Sequence, residues 1–191
     1  MATVLITGSE EFTQEIAKAV TEAGGDPITA SSQAEFEQKL TGVEKGSVAS
    51  YIQLPVAVSM SGDSMTGRVL SFLEQGIIGR FRAATAINPY LAADASVVLV
   101  AGNSILDNNN ATPDDREARL HLVHVLARAL RAEADTTHNV QVVHRSVGTR
   151  AIIAAALKGE RLSSTSPDSV DPNLGYDDWR TEVLGMATTE I

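Results

Sequence analysis

Two periods alternate along this chain, and that alternation constrains it more than any other feature. Short apolar runs rich in β-branched residues predict buried strands, and segments with apolar residues every three or four positions predict helices. Residues 2–7 are the first such run, closed by Gly8 and Ser9. Ile16, Ala19, Val20 and Ala23 follow at helical spacing until Gly24 and Gly25. Ser9 is placed to cap this helix, with Glu10 and Glu11 in its first turn. Further strands are predicted at 27–30, 51–58 (which contains Pro55), 96–101 and 139–143. Helices are predicted at 32–40, 66–91, 114–134 and 150–158. On the first long helix Leu70, Leu73, Ile77, Phe81 and Ala84 form the expected core stripe, and on the second Leu120, Val123, Leu126, Ala127 and Leu130 do.

Strands separated by helices of this length pair in parallel, with helices on both faces. The expectation is an α/β fold, a three-layer Rossmann-like sandwich with a shortened parallel sheet of about five strands. One domain covers 1–160. A polar tail follows at 161–191, and its apolar residues Trp179, Val183 and Leu184 could pack back on the domain.

Composition narrows the function classes. The net charge of −9 disfavours a nucleic-acid binder, and 4% aromatics leave little for base stacking. With no cysteine there are no disulfides, thiolate metal sites or cysteine nucleophiles. No apolar run reaches the roughly 18–20 residues of a membrane span, and no basic segment precedes an apolar one at the N-terminus. A cytoplasmic protein with no membrane partner is expected.

TVLITGS at 3–9 followed by EIAKAVTEAGG at 15–25 resembles the first strand, Thr-Gly turn and first helix of the short-chain dehydrogenase/reductase family. Residues 73–104 resemble that family's long interface helix and the strand leading to its catalytic serine. Residues 127–143 resemble the end of its catalytic helix and the next strand. The resemblance covers about 2–155 and implies a Rossmann-type fold, NAD or NADP as cofactor, and a dimer through two long helices. A strand and helix of the family are missing between 30 and 51, which implies the strand order 2-1-3-4-5 and the loss of a wall that contacts adenine.

The motifs that carry the family's chemistry are also missing. Of the glycines in the family's first turn only Gly8 remains, in a vestigial Thr7-Gly8-Ser9 turn, and Phe12 fills a glycine position. Glu10 and Glu11 put carboxylates where a dinucleotide needs positive potential. Alignment with the catalytic helix puts Arg116 at the tyrosine position and Leu120 at the lysine position, so the proton-transferring pair is gone. Ser104 matches the family's serine, and Ser146-Val147-Gly148 replaces its Pro-Gly.

Other constellations compete. Gly62-Asp63-Ser64 resembles the nucleophile block of the Gly-Asp-Ser-Leu esterases. That reading makes Ser64 the nucleophile, Asp135 and His138 its partners, and Gly102-Asn103 an oxyanion block. The plainer reading makes Ser64 a helix cap. His121 and His124 lie one turn apart on a helix and read as partly exposed side chains, not as metal ligands. Asp107, Asp114 and Asp115 lack calcium-loop spacing and read as a solvated loop and a helix start. No metal is expected.

The sequence therefore points to a catalytically inactive short-chain-dehydrogenase-like protein acting as an assembly or partner-binding module, with no cofactor. A homodimer through helices 66–91 and 114–134 is expected, because Val69, Phe72, Ile78, Leu122 and Val125 lie off the core stripes. Gly76 and Gly79 read as points where a second backbone approaches. The alternatives are an NAD(P)-dependent oxidoreductase with a divergent active site and an esterase using Ser64.

Overall fold

The computed structural model describes residues 1–56, 63–102, 113–132 and 138–162, with the backbone alone at 68, 69, 72, 113–119 and 146. The five apolar runs are strands of one parallel sheet: β1 (Ala2–Thr7), β2 (Gly25–Ala30), β3 (Val48–Gln53), β4 (Leu91–Ala101) and β5 (Asn139–His144). Their order is β2-β1-β3-β4-β5, so the missing strand and helix leave the flavodoxin-like topology. Both faces of the sheet are covered, which is why Val97–Val100 reads as an unbroken apolar run. Helices α1 (Glu10–Glu22) and α6 (Thr149–Lys158) pack on one face around Phe12, Ile16, Val20, Ile152 and Ile153. On the other face Phe36 of α2 (Gln33–Leu40) packs with Ala84 and Ile87 of α4 (Gly79–Ile87) and with Val123 and Leu126 of α5 (Pro113–Ala132).

Strand ends follow backbone chemistry. The Leu54 N–H still donates to Thr7 O at 2.7 Å, but Pro55 has no N–H with which to continue, so β3 stops at Gln53 instead of running to 58. The Pro55 carbonyl accepts the Ser9 N–H at 3.4 Å. Gly25 belongs to β2 and does not end α1, and a Cβ there would lie 2.7 Å from Val20 Cγ1.

The long connection from β3 to β4 departs most from expectation. It is α3 (Met65–Leu73), a π-helical turn at Glu74–Ile78, α4, and a 3-10 turn at Asn88–Tyr90, after which β4 begins at Leu91. A π turn inserts one residue into the 3.6 repeat and rotates the helix beyond it by about 100°. The expected stripe of Leu70, Leu73, Ile77, Phe81 and Ala84 therefore holds only beyond the turn, where Phe81 packs against the core and Ala84 is buried. Leu70 is 60% exposed and Leu73 37%, while the core face beyond the turn is Ala83, Ala84 and Ile87. Gly76 is buried within the chain's own fold, in a small cleft with Pro55, Ala101 and Val123, which corrects its reading as a contact point for a second backbone.

Ser9 occupies the cap position of α1, but its side chain makes no capping bond. Its carbonyl instead accepts the N–H groups of Phe12 and Thr13. Past α6, Gly159 takes a left-handed conformation and the chain turns back to β5. There Asn139 Nδ2 donates to Gly159 O, and Gln141 bonds to Glu160 O and Leu162 N. Trp179, Val183 and Leu184 lie outside the described residues.

Candidate functional site

In open parallel sheets ligands bind at the C-terminal ends of the strands, where the strand order reverses. Here that point lies between β1 and β3. Its first component is the turn from β1 to α1. Gly8 has φ +150°, and a Cβ there would lie 2.6 Å from Leu54 Cβ, so this turn is pressed against the end of β3. Phe12 is 5% exposed, and the Arg145 guanidinium stacks 3.6 Å over its ring centroid. Glu10 and Glu11 stay exposed at the helix N-terminus.

The turn from β2 to α2 is closed by the chain itself. Ser32 Oγ accepts the Glu35 N–H at 3.2 Å, and Glu35 Oε2 accepts the N–H and hydroxyl of Ser31 at 2.8 and 2.9 Å. Lys39 pairs with the same carboxylate at 2.7 Å. The Lys39 and Ser31 bonds hold the Glu35 carboxyl down at about 2. An internal anion thus takes the donors that an external one would use.

A buried polar chain runs beneath these turns. The Arg80 side chain donates from Nε to Gln53 Oε1 at 2.9 Å and from an NH2 nitrogen to Val100 O at 3.0 Å. Gln53 Nε2 donates to Arg80 O at 2.9 Å and to Tyr51 OH at 3.0 Å. Tyr51 OH bonds to Thr7 Oγ1 at 2.8 Å. Tyr51 is 0% exposed and Gln53 2%, and burial pushes the Tyr51 phenol up from its usual value. Arg80, Gln53 and Tyr51 belong to none of the sequence motifs. A glutamine inside an apolar strand was the available signal, because a buried amide requires partners.

Above the chain, between α2 and α4, lies a cavity of about 440 Å³. Thr7, Gly8 and Gln53 form part of its lining, with Phe36, Leu54 and Arg80. Glu74 and Arg82, also in the lining, form an ion pair at its edge.

The other expected site residues fall elsewhere. Ser64 Oγ accepts the Gly67 N–H at 3.1 Å and caps α3. Ser64 follows β3, at the C-terminal edge of the sheet, whereas His138 precedes β5 at the opposite edge. No hydrogen bond joins Ser64 to His138 among those described, and Asp135 lies outside the described residues. His124 is 8% exposed, not half-open to solvent, and burial first, then Arg131 and His121, lower its pKa to about 4. No metal-ligating group of three His, Asp or Glu occurs among the described residues. Gly102, at φ +116°, lies against His144 and Arg145. Leu120 is partly buried against the core, so nothing that could serve as a lysine stands there. Asn103, Ser104 and Asp107 lie outside the described residues, as do the side chains of Asp114, Asp115, Arg116 and Ser146.

No protein-family model matches the chain, and no curated protein does. Solved structures do. The protein lin1944 from Listeria innocua superposes with a TM-score of 0.58 at 13% identity, over 75% of this chain and 77% of that one. A provisionally assigned short-chain alcohol dehydrogenase from Burkholderia multivorans gives a TM-score of 0.58 at 10% identity, over 81% and 87%. The likeness is one of fold. The chain has a Rossmann-like α/β fold similar to these structures. Among the described residues no helix is long and apolar enough to cross a membrane.

Proposed function

We propose that this chain is a catalytically inactive member of the dehydrogenase-like fold, acting as a self-assembling or partner-binding module. Phe12 carries the reading. It is buried in the turn where a dinucleotide pyrophosphate needs a glycine and a close backbone approach, and Arg145 covers it. Supporting features are the exposed Glu10-Glu11 pair and the Glu35 carboxylate closing the β2–α2 turn. Leu120 at the lysine position adds a third. An oxidoreductase with a divergent site is the competing reading. At 100 times its dissociation constant a ligand adds about 2.7 kcal/mol of stability. Millimolar NAD, NADP or their reduced forms should leave the melting temperature unchanged. A rise of several degrees would restore the enzyme.

The assembly surface we propose is the face made by α3, the π turn and α5. Leu70 is 60% exposed, Leu73 37%, Ile78 40% and Val125 40%, and the π turn and α5 pack side by side. A two-fold contact would bury these residues against their own copies. Light scattering at micromolar concentration should give the mass of two chains, and Leu70→Glu with Val125→Glu should give the mass of one. A wild-type mass of one chain would end this part of the proposal.

A further inference from the structure

We propose that the cavity between α2 and α4 is a binding site for a small uncharged molecule with an apolar ring system.

At about 440 Å³ the cavity falls within the range of small-molecule sites, and Phe36, Leu54, Val56 and Ala83 contribute apolar walls. The polar residues of the lining decide the class of ligand, because each of those described is already engaged inside the protein. Thr7 bonds to Tyr51, and Gln53 bonds to Tyr51 and Arg80. Arg80 rests on Gln53 and on the Val100 carbonyl, and Arg82 pairs with Glu74. Ser31 and Ser32 are tied to Glu35, Gln33 to Glu37 and Gln75 to Ser71. A charged or strongly polar ligand must give up its water and then compete with these bonds for partners. An apolar ring gains from burial and leaves every one of them in place.

The π turn is an independent pointer to the same place. Glu74 and Gln75 belong to it, Gly79 follows it directly, and all three line the cavity. Single π turns inside helices occur frequently at functional sites. Gly79 also marks an open part of the wall. Apart from its own turn of helix, a Cβ there would approach only the Glu74 carbonyl among the described residues, at 3.4 Å. Added volume at this position is therefore free to enter the space a ligand would use.

The test is an amide NMR titration of the whole protein with indole, indole-3-carboxylate and adenosine. Indole should shift the Gly8, Gly79 and Ala83 amides saturably. The carboxylate and adenosine should each bind at least about tenfold more weakly. Gly79→Leu replaces a poor helix former with a good one, so the helix should keep its fold, and it should weaken indole at least about tenfold. If that variant loses its dispersed spectrum, Val56→Phe adds volume from the opposite wall and should weaken indole by a similar factor. Absence of saturable shifts up to about 5 mM indole would overturn the inference. So would undiminished binding in the folded variant, equal binding of the carboxylate, or a preference for adenosine. Leu70→Glu with Val125→Glu should bind indole as the wild type does. Loss of binding there would put indole on the proposed assembly face and would equally overturn the inference, whereas the assembly proposal itself is read separately by light scattering.

Discussion

Lowering the pH from 7 to 4 should cost the folded state about 3 kcal/mol through one residue, His124. It lies on α5 with 8% of its surface exposed, in a stretch where Val123 and Ala127 are also buried. Burial is the main reason its pKa falls from the usual 6.5 to about 4, and the Arg131 and His121 charges act in the same direction. The folded state keeps the ring neutral down to about pH 4, whereas the unfolded chain protonates it near 6.5. The unfolded state therefore binds more protons within that window, so stability falls as pH falls. Above pH 6.5 the contribution is fully present, and below about 4 it is fully lost. At 1.36 kcal/mol per pH unit the interval is worth about 3 kcal/mol, a large share of an ordinary domain's stability. Glu35 titrates in a separate window. Its lowered carboxyl contributes above 4.5, and that contribution goes as pH falls toward about 2. Urea midpoints for wild type and His124→Leu at pH 7, 5.5 and 4 would separate the two. The variant should lose most of the slope between 6.5 and 4, and an unchanged slope would show that His124 titrates normally.

The position of His124 was legible in principle. Residues 120, 123, 124 and 127 are one helical face, so a histidine at 124 shares the slots of Val123 and Ala127. Strand identity was legible for a similar reason, whereas the sheet order came from the resemblance to the short-chain dehydrogenase/reductase scaffold with one strand and helix removed. A parallel sheet covered on both faces writes its strands as unbroken apolar runs, and only such runs separated by helices fit the chain. The face of the first long helix was not legible. Its π turn at Glu74–Ile78 leaves no mark in composition yet breaks the 3.6 phase between Leu70 and Leu73 before it and Phe81 and Ala84 after it, so a single stripe cannot put both halves in the core. The polar chain was hidden by distance. Arg80 meets Gln53 across 27 residues, and no local spacing connects a helix start to a strand end. What could be read was a question without its answer: Gln53 is an amide in a strand that is otherwise buried and apolar, so some partner had to exist.

Gln53→Leu should then be among the most destabilising single substitutions of similar size in this fold, at about 3–4 kcal/mol. The new side chain fills the volume of the old one, so cavity formation contributes little. The loss comes from the groups left behind. Arg80 Nε and the Arg80 carbonyl each lose a partner, and Tyr51 OH loses the Gln53 Nε2 donor and keeps only its bond with Thr7. A buried polar group without its bond costs about 1–3 kcal/mol, more when a charged group is involved. Tyr51→Phe removes one hydroxyl and should cost less, about 1–2 kcal/mol, because Gln53 Nε2 keeps its bond to Arg80 O. The two residues belong to one chain, so the double variant should cost less than the sum of the single ones by about 0.5 kcal/mol or more. Urea denaturation at pH 7 with unchanged m values would measure all three. A Gln53→Leu loss below 1 kcal/mol, or strict additivity, would mean that each side chain is satisfied separately and that Arg80 owes its place above the sheet to packing alone.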